Sequence, residues 1–183
     1  GGRVRVLGAG WPAPPDRAQF RRTGMVGVSN ALAAVLEQVE RVAPTDVHVL
    51  ITGDSGVGKE LVARYVHACS GLDGPFLALN CATLRPELAA SELFGHKRGA
   101  FSGADRDPDG LFVSASGGTL FLDEVGELQP DIQAQLLRAI EAREVRAVGA
   151  TRPVSVSVRL VAATNVKLDA AVPSGKFRAD LYA

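Results

Sequence analysis

The sequence predicts an α/β protein, a three-layer α/β/α sandwich around a largely parallel central sheet. Three observations carry this. Four short apolar runs, residues 47–51, 76–80, 119–123 and 159–163, have the length and composition of buried strands. Segments with helically spaced apolar residues fall between them, the alternation expected of parallel strands joined by crossover helices. Between the first run and the helix after it lies a glycine-rich turn, Gly53, Asp54, Ser55, Gly56, Val57, Gly58, Lys59. It satisfies the first seven positions of the phosphate-binding pattern G-x-x-x-x-G-K-[ST].

Taken in order, residues 1–24 mix an apolar run at 4–7 with Pro12, Pro14, Pro15 and several arginines. They read as a linker preceded by the last strand of an upstream domain. Arg17, Arg21 and Arg22 could touch nucleic acid, but a solvated linker is the favoured reading. A helix starts near an N-cap at Ser29 or Asn30, carries Leu32, Val35, Leu36, Val39 and Val42 on one side, and ends before Pro44. After the glycine-rich turn, residues 61–68 continue as a helix that Gly71 and Gly74 break. A helix over 86–94 is expected to turn Leu88 and Leu93 inward. Residues 95–103, with three glycines, three basic residues and one phenylalanine, read as a projecting loop. Gly117 and Gly118 make the turn into the strand at 119–123. Ile132, Leu136, Leu137 and Ile140 form the apolar side of a further helix, residues 145–158 a hairpin, and Asp180 and Leu181 the start of another helix.

With 183 residues and 46% hydrophobic content, the chain can bury a proper core as one domain. A formal net charge of +0 gives no global pull toward nucleic acid or an anionic membrane. Cys69 and Cys81 match neither a disulfide framework nor a metal pair and fit a reducing, cytoplasmic setting. His48, His67 and His96 are too scattered to suggest a metal cluster, and no run of about 18 apolar residues is present. The first residue is Gly1, which suggests a piece of a longer protein.

The chemistry gathers at strand ends. Glycines let the backbone of the phosphate-binding turn fold back so that several N–H groups point into one concavity, and the next helix adds its positive end. Lys59 then lies within reach of β- and γ-phosphates. Glu60 stands where most such loops carry a magnesium-binding hydroxyl, so either the loop is degenerate or the metal depends on other ligands. The strand at 119–123 ends in Asp123 and Glu124. Ligands of open parallel sheets bind beyond the carboxyl ends of the strands. Asp123 can therefore hold Mg2+, directly or through water, while Glu124 can polarise an attacking water. An acidic strand end that merely caps a turn is the plainer alternative. Asn80 and the pair Thr164 and Asn165 end two more strands, where they can orient a water or serve as ordinary turn residues.

These segments resemble the central AAA+ ATPase domain of sigma-54-dependent transcriptional activators, the bacterial enhancer-binding proteins. The family writes its phosphate loop G-E-S-G-x-G-K-E, so Glu60 is its norm, while Asp54 replaces the first glutamate. Residues 91–96 (S-E-L-F-G-H) and 118–124 (G-T-L-F-L-D-E) are similar to two further signatures of the family. Gly99, Ala100, Phe101, Ser102, Gly103 and Ala104 resemble its G-A-F-T-G-A loop, which contacts sigma-54, with Ser102 in place of threonine.

The resemblance implies an ATP- and Mg2+-dependent ATPase that assembles as a ring, a hexamer in the family, and remodels sigma-54 RNA polymerase holoenzyme to open promoters. Gly53, Asp54, Ser55, Gly56, Val57, Gly58, Lys59, Glu60 and Leu61 would hold the nucleotide, with Val26 and Gly27 against the adenine and Asp123 on the metal. Glu124 would be catalytic, Asn80 the switch residue that holds it, and Thr164 and Asn165 the first sensor. Residues 177–182 are similar to F-R-E-D-L-Y, whose arginine, here Arg178, reaches the neighbouring subunit's nucleotide. The expected organisation is an upstream tail or linker over 1–24 and a C-terminally truncated AAA+ domain over 25–183. The helical lid and the DNA-binding helix-turn-helix are expected to be absent, and with them direct DNA contact. An alternative is a nucleotide-dependent assembly or signalling module that does not activate sigma-54.

Overall fold

The computed structural model describes residues 3–6 and 30–182, with side chains described over 32–182. Val26 and Gly27, the expected adenine contacts, lie outside the described residues. The central sheet runs β1 (Arg3–Val6), β2 (Val49–Thr52), β7 (Arg159–Thr164), β4 (Thr119–Asp123), β3 (Phe76–Asn80) across its width. β2, β7, β4 and β3 are mutually parallel, while β1 pairs antiparallel with β2, Val4 opposite Ile51. Residues 3–6, which overlap the run expected to close an upstream domain, thus supply an edge strand of the sheet among the described residues. A strand pattern specifies an apolar extended segment but not the sheet it joins.

Alternation along the central strands divides the core into two layers. Val49 and Ile51 of β2, Phe121 of β4, and Val161 and Ala163 of β7 face a cluster with Val39 and Val42 of α1 (Asn30–Val42) and Val62, Ala63 and Val66 of α2 (Lys59–Ala68). Leu120, Leu122, Leu160 and Ala162 face the opposite cluster, built on Leu93 and Phe94 of α3 (Pro86–Phe94) and Ile132, Leu136 and Ala139 of α5 (Pro130–Ala142). α4 (Leu111–Ser114) adds Phe112, stacked on Phe94 at 5.6 Å. All six residues of β7 are buried, as a strand covered on both faces requires. The three-layer expectation holds, and β3, α3 and β4 fall on their predicted bounds. Leu88 is only half-buried; Ala89 takes the inward position beside Leu93.

Three polar side chains, those of Glu40, Tyr65 and Arg159, are buried in the layer of α1 and α2. The Tyr65 hydroxyl donates to Glu40 Oε1 at 2.7 Å, both residues being almost wholly buried. Arg159, at the start of β7, donates to the carbonyls of Val42 (3.0 Å) and Ala43, satisfying orphan acceptors at the end of α1. Burial draws that guanidinium down to about 10. The predicted hairpin reduces to a two-residue ladder between β5 (Glu144–Val145) and β6 (Val154–Ser155). Its connecting loop is tied to residues 95–97 by hydrogen bonds from Lys97 N to Val148 O and from Val148 N to Gly95 O, both 2.9 Å. Two short helices, α6 (Leu168–Ala171) and α7 (Ala179–Tyr182), close the described chain. Among the described residues no helix is long and apolar enough to cross a membrane.

Candidate functional site: a phosphate-binding loop facing two carboxylates

β2 delivers the chain to the glycine-rich turn, and Gly53 N donates to Thr164 O at 3.2 Å, so the turn leaves the sheet beside the end of β7. Gly56 (φ 78°) and Gly58 (φ 88°) occupy the left-handed region, where a side chain would be strained. The N–H groups of residues 54–58 make no hydrogen bond among the described residues. Together with the positive end of α2 they form a cradle for an anion. Asp54, Ser55, Gly56, Val57, Glu60 and Leu61 are exposed around it.

Lys59 opens α2 and is the buried member of the loop. Its Nζ donates to Gly53 O (3.1 Å), Asp54 O (3.4 Å) and Glu124 Oε1 (3.3 Å). Only 5% of the Lys59 side chain and 15% of the Glu124 side chain meet solvent, so the pair is weakly screened. Glu124 sits just past β4 with φ 52° and ψ 46°, unusual for a side chain of this size. That turn aims its carboxylate at the loop instead of along the strand. Glu124 Oε2 accepts from Asn165 N at 3.1 Å, and Asn165 Nδ2 donates to Ser55 Oγ at 3.0 Å. Three strand ends, those of β2, β4 and β7, are thus connected through side chains. Thr164 is fully buried, its hydroxyl accepting from Val166 N at 3.0 Å.

Asp123 is half-buried, with Oδ1 accepting from Glu124 N at 3.0 Å, and its other oxygen makes no hydrogen bond among the described residues. Glu60, at the hydroxyl position of the loop, is turned away: Arg64 grips its carboxylate at 2.7 and 3.0 Å on the outer face of α2. Of the two expectations for that position, reliance on other ligands therefore fits better, and Asp123, at the end of β4 with one carboxylate oxygen unbonded among the described residues, is available as such a ligand. A single protein carboxylate suits Mg2+, which keeps several waters and takes its remaining ligands from phosphate oxygens.

Asn80 departs from expectation. It lies opposite Asp123 in the β3–β4 register, but its Oδ1 accepts from Ala82 N at 2.9 Å and no bond to Glu124 forms. The side chain caps the 3-10 turn at Cys81–Thr83, whose first N–H groups need an acceptor, and Glu124 is held by Lys59 and Asn165 instead. Cys81 is buried beside these carboxylates; burial, then Asp123 and Glu124, push its thiol up to about 12, which leaves it inert at neutral pH.

Arg178 lies outside this cluster. It is exposed, and its guanidinium grips Asp180 through Nε–Oδ1 (2.9 Å) and Nη2–Oδ2 (2.5 Å). The neighbouring Phe177 is buried against Leu168 and Ala171.

The 99–104 loop is largely exposed, and Phe101 leans on a neighbour within the same segment. Gly99 N donates to Ala104 O (2.9 Å) and Ala104 N to Phe101 O (3.1 Å), and Ala104 is buried. The Phe101 ring, 36% exposed, leans on His96 with centroids 4.8 Å apart, and His96 Nδ1 lies 2.6 Å from Ser91 Oγ. Asp107 fastens the base by accepting from Arg98 N and pairing with Lys97 at 3.3 Å. The Arg98 N–H, more than Lys97, holds that carboxyl below its ordinary range.

Sequence reasoning missed two residues. His96 was read only as part of a motif. The sequence reading gives Gln133 no place, although its spacing of three, four and seven from Leu136, Leu137 and Ile140 puts it on the buried stripe; it is fully buried.

The description "Sigma-54 interaction domain" belongs to the family model that matches residues 25–183. Transcriptional regulatory protein ZraR of Salmonella typhimurium is 54% identical over 180 residues, 98% of this chain and 40% of that protein. The Nif-specific regulatory protein of Herbaspirillum seropedicae is 48% identical over 167 residues, covering 91% of this chain and 31% of that one. The crystal structure of NtrX from Brucella abortus in complex with ATP superposes with a TM-score of 0.79 at 40% identity, over 86% of this chain and 34% of its own. The chain thus spans less than half the length of these relatives. The match runs through the phosphate loop, the paired carboxylates and the 99–104 loop, and this chain belongs to the sigma-54 interaction domain family of AAA+ P-loop proteins.

Proposed function

We propose that this chain is the ATP-binding and ATP-hydrolysing part of a sigma-54-dependent transcriptional regulator, one that remodels sigma-54 RNA polymerase holoenzyme. The observation that carries the reading is the meeting of Lys59, Glu124 and Asn165 at three adjacent strand ends, beside a cradle of free backbone N–H groups. Lys59 serves the β- and γ-phosphates, as its position at the head of α2 dictates. Mg2+, held by Asp123, would offset charge on the phosphate oxygens when bound. Glu124 accepts the proton of the attacking water, and Asn165, already bonded to Glu124 and Ser55 through its backbone and side chain, reports the γ-phosphate position to both. Asn80 reaches Glu124 only after leaving Ala82 N, a rotamer change at the exposed end of β3.

Arg178 acts in trans within a ring, a hexamer in the family resemblance. Its exposure, and bonds that run to Asp180 and Gln133 and not to its own phosphate loop, agree with service to a neighbour, where a guanidinium can offset charge in the phosphoryl-transfer transition state. The 99–104 loop presents Phe101 to sigma-54 in the cytoplasm, and the hydroxyl of Ser102 keeps the polar contact that a threonine would make.

Two substitutions separate the two activities. Glu124→Ala should bind ATP within about threefold of the parent and lose turnover by at least about a hundredfold, the scale of a positioned general base. Phe101→Ala should keep hydrolysis within about twofold and abolish co-sedimentation with sigma-54 in the presence of a transition-state nucleotide analogue. A partly exposed aromatic is where an interface concentrates its energy. Sigma-54 capture by Phe101→Ala at parental strength would sink the loop assignment. Hydrolysis without capture by the parent itself would favour an assembly or signalling module.

A further inference from the structure

Gln133 lies on α5, fully buried, with each of its hydrogen-bonding atoms used. Nε2 donates to Leu128 O (2.7 Å) and Lys176 O (3.0 Å), and Oε1 accepts from Arg178 N (2.8 Å). An amide in the second turn of a helix thereby grips the main chain on both sides of Phe177, more than forty residues later in sequence. Phe177 is itself inserted against Leu168 and Ala171, and Phe177 N and Lys176 N both donate to Ala171 O. The backbone from 176 to 178 is therefore fixed on two sides, by Gln133 and by the end of α6. Only beyond that clamp does the Arg178 side chain enter solvent, directed by its two bonds to Asp180.

We propose that Gln133 is the positioning residue for Arg178, setting the point from which the guanidinium reaches an adjoining subunit's nucleotide. The inference rests on the reading of Arg178 as a residue supplied in trans. Apolar packing alone could bury Phe177, but it is non-directional and would leave the segment free to rotate about that anchor. A primary amide supplies two donors and one acceptor in a fixed plane, matched here to two carbonyls and one N–H. The precision matters because a displacement of about 1 Å in a charge-stabilising group can cost about a hundredfold in rate. Neither a hydrocarbon nor a carboxylate of similar size reproduces this pattern of donors and acceptor, which gives a reason for a wholly buried polar residue on an otherwise apolar stripe.

The test uses the full-length protein. Gln133→Met fills the volume without hydrogen bonds, and Gln133→Asn keeps the amide but is one methylene too short to span both partners. Either should bind ATP within about threefold of the parent and lose turnover by about a hundredfold. Each is then mixed with Lys59→Ala, whose subunits lack a phosphate site of their own but carry an intact Arg178. Mixed assemblies should regain turnover, because a Lys59→Ala subunit supplies a well-placed arginine to the site on a Gln133 variant. Arg178→Ala mixed with Lys59→Ala is run in parallel. Rescue of Arg178→Ala but of neither Gln133 variant overturns the positioning role, as does full turnover by either Gln133 variant alone or loss of ATP binding by both. Failure to rescue Arg178→Ala overturns the shared-site reading beneath it instead.

Discussion

Lys59→Ala is expected to weaken ATP binding by at least about a hundredfold, about 3 kcal/mol, measured by titration calorimetry. The Lys59 ammonium is almost fully buried and aimed into the loop by two backbone carbonyls and Glu124. A charge-assisted bond to a phosphate oxygen in such a place contributes about 1.5–3 kcal/mol, and the substitution also leaves the Glu124 carboxylate without its cation beside an incoming polyanion. Both effects act in the same direction. The fold should survive, since Glu124 retains the Asn165 N–H and the carbonyls of Gly53 and Asp54 lie at an open loop. Binding at parental strength would refute the phosphate-loop assignment.

Gly118→Ala should lower the melting temperature by about 10 °C with no specific effect on nucleotide affinity. A Cβ at Gly118 would lie 2.1 Å from Pro75 O and 2.6 Å from Gly74 C, backbone atoms that cannot swing aside. Here the chain entering β3 runs close beside the chain entering β4, joined by Gly74 N to Gly117 O (3.2 Å) and Thr119 N to Pro75 O (2.9 Å). Separating them strains the start of the parallel β3–β4 pair. Overpacking of this kind costs about 3 kcal/mol, and each kcal/mol moves the transition by about 2–4 °C in a domain of this size. Gly117→Ala is the comparison. Its added Cβ meets nothing within 4 Å, so only the left-handed backbone (φ 81°) resists it, and its loss in a thermal melt should be clearly smaller. Equal losses would show that backbone conformation rather than close approach governs this contact.

The strands and the phosphate loop were legible because they depend on local pattern. An apolar run bounded by turn residues, or a glycine-rich turn between strand and helix, is written in consecutive letters. Pairing was less legible. The run at 4–7 looks the same whether it closes an upstream domain or edges this sheet, and only its register against β2 decides. Within the site, the ends of β4 and β7 could be placed by the rule for parallel sheets, but side-chain choices among competing partners could not. Asn80 answers the needs of the adjacent 3-10 turn before those of Glu124. Phe101 has His96 five residues before it, yet nothing in the spacing says that the loop doubles back far enough for the rings to meet. Gln133 stayed hidden because a polar letter on an apolar stripe is read as an error of periodicity until its three partners are seen.

The place of β7 between β2 and β4 bears on how this protein is made on the ribosome. Residues 49–52 and 119–122 emerge long before residues 159–164, yet each reaches its central neighbour only through that late strand. Until β7 inserts, the strand before the phosphate loop and the strand before the paired carboxylates have no common partner to set their spacing. Asn165, which bonds to both Glu124 and Ser55, arrives with it. Contacts so distant in sequence form slowly, and the unpaired strand edges remain open to wrong pairing during the wait. ATP therefore cannot shelter the earlier part of the nascent chain by occupying a finished site. Resistance of stalled translation intermediates to protease should appear as a step, and nucleotide should strengthen it, only once the segment through residue 165 has cleared the exit tunnel.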